Sequence, residues 1–122
     1  MQKKIKLLLV ALPFFALSRM HAQTSCDDFM QQVQAADYGS SYTSFSSGAI
    51  AEVSFHEITD SSYNISYFAI VQFKSSYQEY IYQVGPNTEF NYSLDYNASA
   101  GKAFWEHIDP YKDVLGCAPN FN

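Results

Sequence analysis

The sequence has few basic residues, only two cysteines and none of the short motifs that mark common enzyme classes. Its 122 residues include 7 lysines and arginines against 12 acidic residues. No phosphate-binding loop, nucleophile elbow or zinc-protease pattern occurs, and there is no internal repeat or low-complexity tract. The length allows one domain of about 100 residues after an N-terminal leader. The architecture is therefore readable from the sequence, whereas no motif identifies an activity.

The first 22 residues have the pattern of an export signal. Three lysines precede an apolar run, Leu7 to Leu17, which is shorter than the ~20 residues that a membrane-spanning helix needs. Ala22 supplies a small residue for cleavage, so residues 1–22 are predicted to be a signal peptide and the mature chain to start near Gln23. A retained membrane anchor is the less favoured alternative. We therefore expect a secreted or periplasmic protein.

Removal of the leader makes the chain strongly acidic. The three basic residues that remain are Lys74, Lys102 and Lys112, against all twelve acids, which gives a formal charge of −9. Such a surface repels phosphate polymers and anionic lipid. Nucleic acid and membrane are accordingly not expected as partners of the mature chain.

The two cysteines predict one disulfide. Cys26 and Cys117 both lie in the mature chain, and an even count in an exported protein favours a bridge over two free thiols. No cysteine or histidine lies beside either of them at the spacing of zinc ligands. The bridge would close almost the whole mature chain, which stabilises by about 4–5 kcal/mol in the chain-entropy model.

Apolar periodicity predicts an α+β fold that begins with a helix. Cys26 to Asp37 is expected to form a short amphipathic helix, which Ser25 and Asp28 would start as a capping box. Residues 38–48 are rich in Ser, Gly and Tyr without periodicity, and are predicted to be an irregular linker. The predicted order is an N-terminal helix and linker, a main domain and a C-terminal tail, at residues 23–47, 48–110 and 111–122.

The main domain is predicted to start with a three-stranded antiparallel meander. Its strands are Ala49 to Thr59, with an irregularity near Glu57, then Tyr63 to Lys74 and Tyr77 to Val84. Apolar residues occupy both faces of the middle strand, as in a central strand of a sheet. Proline cannot continue a ladder, so Gly85-Pro86 ends the sheet.

Two short helices are predicted after the sheet, packed on one of its faces. Phe90 and Leu94 lie four apart on the first, with Tyr92 and Tyr96 on a neighbouring stripe. Ser99 is expected to cap the second helix, which ends at Asp109-Pro110. One side of that helix is formed by Ala103, Phe104, His107 and Ile108.

These elements resemble the KTSC domain, a short module found at the C-terminus of some lysyl-tRNA synthetases and alone in bacterial proteins. The resemblance lies in Tyr80-Ile81-Tyr82, Val84-Gly85-Pro86, Phe90 and the helix start Ser99-Ala100-Gly101-Lys102-Ala103-Phe104, and covers residues 48–110. It implies a small meander followed by helices, and RNA binding as the function suggested for the family. The export signal and the acidic mature surface of this chain depart from that function.

Aromatic side chains are the candidate ligand-binding residues. Tyr80 and Tyr82 lie two apart on a strand and share a face, where they form either a stacking platform or part of the core. Trp105, the single tryptophan, is either a contact surface or a core residue. Lys102 completes the candidate set, because RNA binding would require the lysines to cluster near exposed tyrosines.

The histidines are the weaker candidates. His56-Glu57 and Glu106-His107 each place a base beside a carboxylate, yet neighbours on a strand or a helix point in different directions. A hydrolase would need both histidines and a carboxylate to meet in one cleft. No catalytic residue, metal site or cofactor is predicted. We expect a non-catalytic binding module for a protein, peptide or glycan, with RNA binding or a small hydrolase as alternatives.

Overall fold

The structure is a computed structural model that describes residues 18–121, with side chains described from residue 25 onward. Residues 1–17 of the predicted signal peptide lie outside this range, and residues 18–22 are helical. In chain order the elements are α1 Ser18–Ala36, β1 Ser40–Thr43, β2 Ile50–Thr59, β3 Ile65–Phe73, β4 Glu79–Val84, α2 Thr88–Asp95, α3 Ala100–His107, a 3-10 turn Asp109–Tyr111 and α4 Lys112–Leu115. The predicted α+β class is confirmed.

The sheet has four antiparallel strands in the order β1-β2-β3-β4, so the prediction of three strands is wrong. The additional strand, β1, lies within the predicted linker and pairs Ser40 with Phe55 and Thr43 with Glu52. It is short, polar and largely exposed, so no alternation marks it in the sequence. The irregularity of β2 also lies elsewhere than predicted, between Ile50 and Glu52.

The first residues of β3 and β4 are set by two turns, each of which contains a residue in the left-handed backbone conformation. Tyr63 and Tyr77 have φ values of 64° and 54°, which a β-strand cannot contain. The carboxylate of Asp60 accepts hydrogen bonds from the backbone N–H groups of Ser62 and Asn64 and so holds the first turn. Strands β3 and β4 therefore begin two residues later than predicted, at Ile65 and Glu79.

One face of the sheet carries the larger hydrophobic core, under α2 and α3. The predicted packing of these two helices on one face is observed. Ser99 caps helix α3 as predicted, because its hydroxyl accepts a hydrogen bond from the Lys102 N–H at 3.2 Å. The core contains Ile50, Val53, Phe55, Ala69, Val71, Phe73, Tyr82, Val84, Tyr92, Ala100, Ala103, Phe104 and Ile108.

Helix α2 turns its tyrosine stripe toward this core. Tyr92 is fully buried, whereas Phe90 and Leu94 are 65% and 64% exposed. Tyr42 of β1 packs against the rings of Tyr92 and Tyr96, and its hydroxyl donates to Glu89 Oε2 at 2.9 Å. The edge strand is thereby attached to α2.

Helix α1 covers the opposite face of the sheet. Met30 and Val33 pack on the side chains of Phe68, Ile70 and Ile81, which form a smaller core. Because α1 already runs from Ser18, residues 25 and 28 lie inside the helix, and the predicted start at Cys26 with its capping box is wrong. Central strand β3 is buried on both faces, as its sequence indicates.

A disulfide joins α1 to the segment that follows α4. Cys26 and Cys117 are bridged, with Cα atoms 5.8 Å apart and a sequence separation of 91, which confirms the predicted pairing. No helix among residues 18–121 is long and apolar enough to cross a membrane.

Candidate binding groove and histidine sites

Tyr82 lies in the core and offers no ring face to a ligand. Its side chain is 1% exposed and packs edge-on against the Phe104 ring at a centroid distance of 5.7 Å. Burial, with smaller contributions from Asp109 and Tyr80, raises the pKa of Tyr82 above its usual value. Tyr80 is half-buried against the Phe73 ring. The platform of two exposed tyrosines is therefore not formed, because α3 covers this face of the strand.

Trp105 is the candidate that the structure leaves accessible. It is 51% exposed on the outer side of α3, beside the buried Phe104 ring. Phe121, from the end of the chain, lies against it with ring centroids 5.2 Å apart. Sequence reasoning missed Phe121, because nothing in the tail indicates where its ring packs.

Around these two rings lies a groove of about 460 Å³. We call it the aromatic groove and define its walls by Phe73, Phe104 and Trp105, on which Phe121 packs. The Phe121 ring lies 5.4 Å from the Phe73 ring and 6.3 Å from the Phe104 ring, in edge-on geometry. A phenylalanine side chain from a peptide segment is thus already seated on three other aromatic rings, an arrangement that stabilises by about 0.5–1.5 kcal/mol per pair beyond burial.

A second, polar cleft adjoins the aromatic groove. It has a volume of about 560 Å³ and is lined by residues 43–49 and 96–101, which include several hydroxyl groups and the Asn97 amide. Gly48, Ala49 and Gly101 line both depressions. The Lys74 ammonium donates to the backbone carbonyls of Phe45 and Ser47 and so fixes the loop between them.

The three lysines that follow the predicted signal peptide do not surround the tyrosine strand. Lys74 lines the aromatic groove, but its ammonium is engaged by the loop. Lys112 lines a different depression, together with Asp109 and Asp113. Lys102 lies on α3 in a depression that contains two carboxylates. A basic stacking surface of the kind that RNA binding requires is not assembled by these residues.

His56 is held inside the fold by two hydrogen bonds. Its Nδ1 lies 2.8 Å from the backbone carbonyl oxygen of Asp37, which can only accept, so Nδ1 carries a proton. In the neutral ring Nε2 then accepts from Ser54 Oγ at 2.9 Å. A hydroxyl beside an imidazole is a possible nucleophile and base. His56 lines a cavity of about 20 Å³, which is far smaller than the roughly 300–1,000 Å³ of a typical ligand pocket.

His107 lies on the surface and contacts two carboxylates. Its Nε2 is 2.6 Å from Asp95 Oδ2 and 3.8 Å from Glu106 Oε2. The expectation that Glu106 and His107 diverge is therefore wrong, because the two side chains bend back toward each other at the end of α3. His56 belongs to a strand and points to the α1 side of the sheet, whereas α3 covers the other side, so the two histidines do not share a cleft.

Comparison of the chain with protein-family models, with curated proteins and with solved structures gives no match. The resemblance to the KTSC domain therefore stays a prediction. What the geometry offers is a small disulfide-linked domain with one accessible aromatic groove.

Proposed function

We propose that the protein is an exported, non-catalytic binding module whose aromatic groove takes an aromatic side chain of a peptide or protein partner. The observation that carries this proposal is the position of Phe121 on Phe73, Phe104 and Trp105. Interface anchors are typically aromatic groups that enter a pocket lined by buried rings. The disulfide supports an oxidising compartment, where such bridges persist.

The composition of the groove favours a peptide over a nucleic acid. Its walls are aromatic and apolar, and the one lysine among its lining residues is engaged by the loop that follows β1. The mature chain carries a large negative charge, which repels phosphate polymers. An apolar or cationic peptide meets no such repulsion.

A glycan is the second candidate, because the adjoining cleft is lined by hydroxyl and amide groups. Thr43, Ser46, Ser47, Asn97 and Ser99 are partly or fully exposed there. Sugars are recognised by such groups beside aromatic rings, and Tyr96 lines the same cleft. A glycan would occupy the polar cleft, whereas an aromatic side chain would occupy the aromatic groove.

The two depressions can be distinguished with a defined probe. The Phe121→Ala variant frees the groove, and the peptide Ala-Pro-Asn-Phe-Asn, which copies residues 118–122, is then titrated into it. The single tryptophan gives one indole N–H resonance, which reports directly on the groove. We expect that resonance to shift with the peptide and to stay in place when the peptide phenylalanine is replaced by alanine.

A matched control uses an exposed ring elsewhere on the surface. Phe90 is exposed on α2, so Phe90→Ala removes a surface aromatic group without touching the groove. Capture of a partner from the native envelope should survive Phe90→Ala and fail with Trp105→Ala. Equal capture by both variants, or an indole shift that does not depend on the peptide ring, would exclude the aromatic groove as the binding site.

A further inference from the structure

Three metal-binding side chains meet where α2 and α3 both end. Asp95 is the last residue of α2, and Glu106 and His107 are the last two of α3. One donor atom from each lies within 4.8 Å of the other two. The His107 side chain reaches Asp95, although the two residues are 12 positions apart.

The distances fit a first-row transition metal after small side-chain adjustments. Ligand bonds of about 2.0–2.2 Å in tetrahedral geometry place donor atoms roughly 3.3 Å from one another. The separations from His107 Nε2 are 2.6 Å to Asp95 and 3.8 Å to Glu106, which lie on either side of that value. Both carboxylates are about half exposed, so their rotamers are free to adjust.

The surroundings favour a cation independently of these side chains. Asp95 ends α2 and His107 ends α3, and the last carbonyl groups of an α-helix carry partial negative charge. Among the side chains that the structure describes, the ion pairs of Asp95 and Glu106 within 4.0 Å are both formed with His107. Neither Asp95 nor Glu106 is therefore neutralised by a lysine at that distance.

We propose that Asp95, Glu106 and His107 form a surface site for a divalent first-row transition metal such as Zn²⁺ or Cu²⁺. An imidazole nitrogen at the centre of the set selects these ions over Ca²⁺ and Mg²⁺, which prefer sites made of oxygen alone. Three protein ligands leave a fourth position for water or for a donor from a partner molecule. The bound ion links the end of α2 to the end of α3.

The proximity of Trp105 makes the site measurable on the intact mature chain. It precedes Glu106 directly and is the only indole in the sequence, so paramagnetic Cu²⁺ bound here should quench its fluorescence. Zn²⁺, followed by calorimetry, should bind with one-to-one stoichiometry and raise the thermal midpoint. Ca²⁺ at the same concentrations should do neither.

The decisive variants are Glu106→Gln and its matched control Glu57→Gln. Each removes one carboxylate that is adjacent to a histidine, but Glu57 neighbours the buried His56 on the sheet. We expect Glu106→Gln and His107→Gln to weaken Zn²⁺ binding by more than about 10-fold, and Glu57→Gln to leave it unchanged. Retained thermal midpoints of the metal-free variants show that the fold is intact.

Either of two results would overturn the site. One is wild-type protein that neither binds Zn²⁺ in calorimetry nor loses fluorescence with Cu²⁺. The other is equal binding by Glu106→Gln, His107→Gln and Glu57→Gln, which would place the ion elsewhere on the acidic surface. The peptide experiment at the aromatic groove does not depend on this result, so the two proposals fail separately.

Discussion

The two faces of the sheet differ in how they are held. Under α2 and α3, thirteen buried apolar and aromatic residues form one continuous core. Under α1 there are five, and the helix is additionally secured by the Cys26–Cys117 bridge. At the end of α1, Asp37 holds the start of the next segment through hydrogen bonds to His56 and Glu57. The comparison shows that a small contact area is supplemented by covalent and polar connections, while the large one depends on packing.

The largest test of this difference is removal of the disulfide. The double variant Cys26→Ser with Cys117→Ser should lose up to about 4–5 kcal/mol of unfolding free energy, because the bridge closes a loop of separation 91. Hydrogen exchange should rise most in α1 and least in β3. Uniform acceleration in all elements would show that the two faces unfold as one unit.

A matched pair of isoleucines compares the packing of the two faces. Ile108 and Ile81 are 0% and 1% exposed, on the α3 side and the α1 side respectively. Replacement by alanine should lower the free energy of unfolding by about 4 kcal/mol at Ile108 and by about 2 kcal/mol at Ile81. The cost is smaller at Ile81 because α1, a single helix, can shift to fill part of the cavity. Urea unfolding measures both. Equal costs would mean that α1 is as firmly packed as the opposite face.

Alkaline pH should act on the larger core alone, since buried tyrosines occur there and not under α1. Burial raises the pKa of Tyr92 to about 12 from 10.0; the Ser44 side chain offsets part of this, and Tyr96 adds to it. The unfolded chain therefore releases its tyrosine protons first, and stability falls as pH rises from 10.0 toward 12. Tyr92→Phe should flatten that decline, measured as unfolding free energy against pH. If unfolding free energy declines with pH equally in Tyr92→Phe and in the wild type, Tyr92 is not the source of the decline.

The smallest effect concerns the polar connection at the end of α1. Asp37 Oδ2 accepts a hydrogen bond from the Glu57 N–H at 2.7 Å. Asp37→Ala should cost about 1–2 kcal/mol, and Asp37→Asn less, because the amide oxygen still accepts. Thermal unfolding of both variants measures these two costs. A larger cost than that of Ile81→Ala would reverse the ranking of polar and apolar contributions on this face.

The parts of the fold that local rules determine were predictable from sequence. The Gly85-Pro86 break, the Ser99 cap and the apolar β3 follow from backbone geometry and periodicity, and the cysteine pairing follows from the even count and the predicted export. The edge strand was not predictable, because a polar strand of four residues has no apolar period to detect. The periodicity of α2 allows either the stripe of Phe90 and Leu94 or the stripe of Tyr92 to face the core. The position of the sheet decides that Tyr92 is the buried one.

The candidate site depended more on tertiary contacts than on sequence. Of the named residues, Trp105 is accessible, Tyr82 is core and Lys102 lies away from the groove. Phe121 and Asp95 were missed, because their partners come from other elements of the chain. Such contacts can be predicted only when the three-dimensional positions of the helix ends and of the segment after Cys117 are known.

The edge strand β1 also determines which backbone groups of the sheet are open to pairing with another chain. It covers the stretch of β2 from Glu52 to Phe55, which would otherwise expose backbone N–H and C=O groups beside buried apolar residues. Gly39 makes this possible, because a Cβ there would collide with the Phe55 carbonyl oxygen. The free side of β1 is short and polar, a poor template for another strand. A substitution at Gly39 that displaces β1 would expose the edge of β2, and an exposed strand edge pairs readily with another chain.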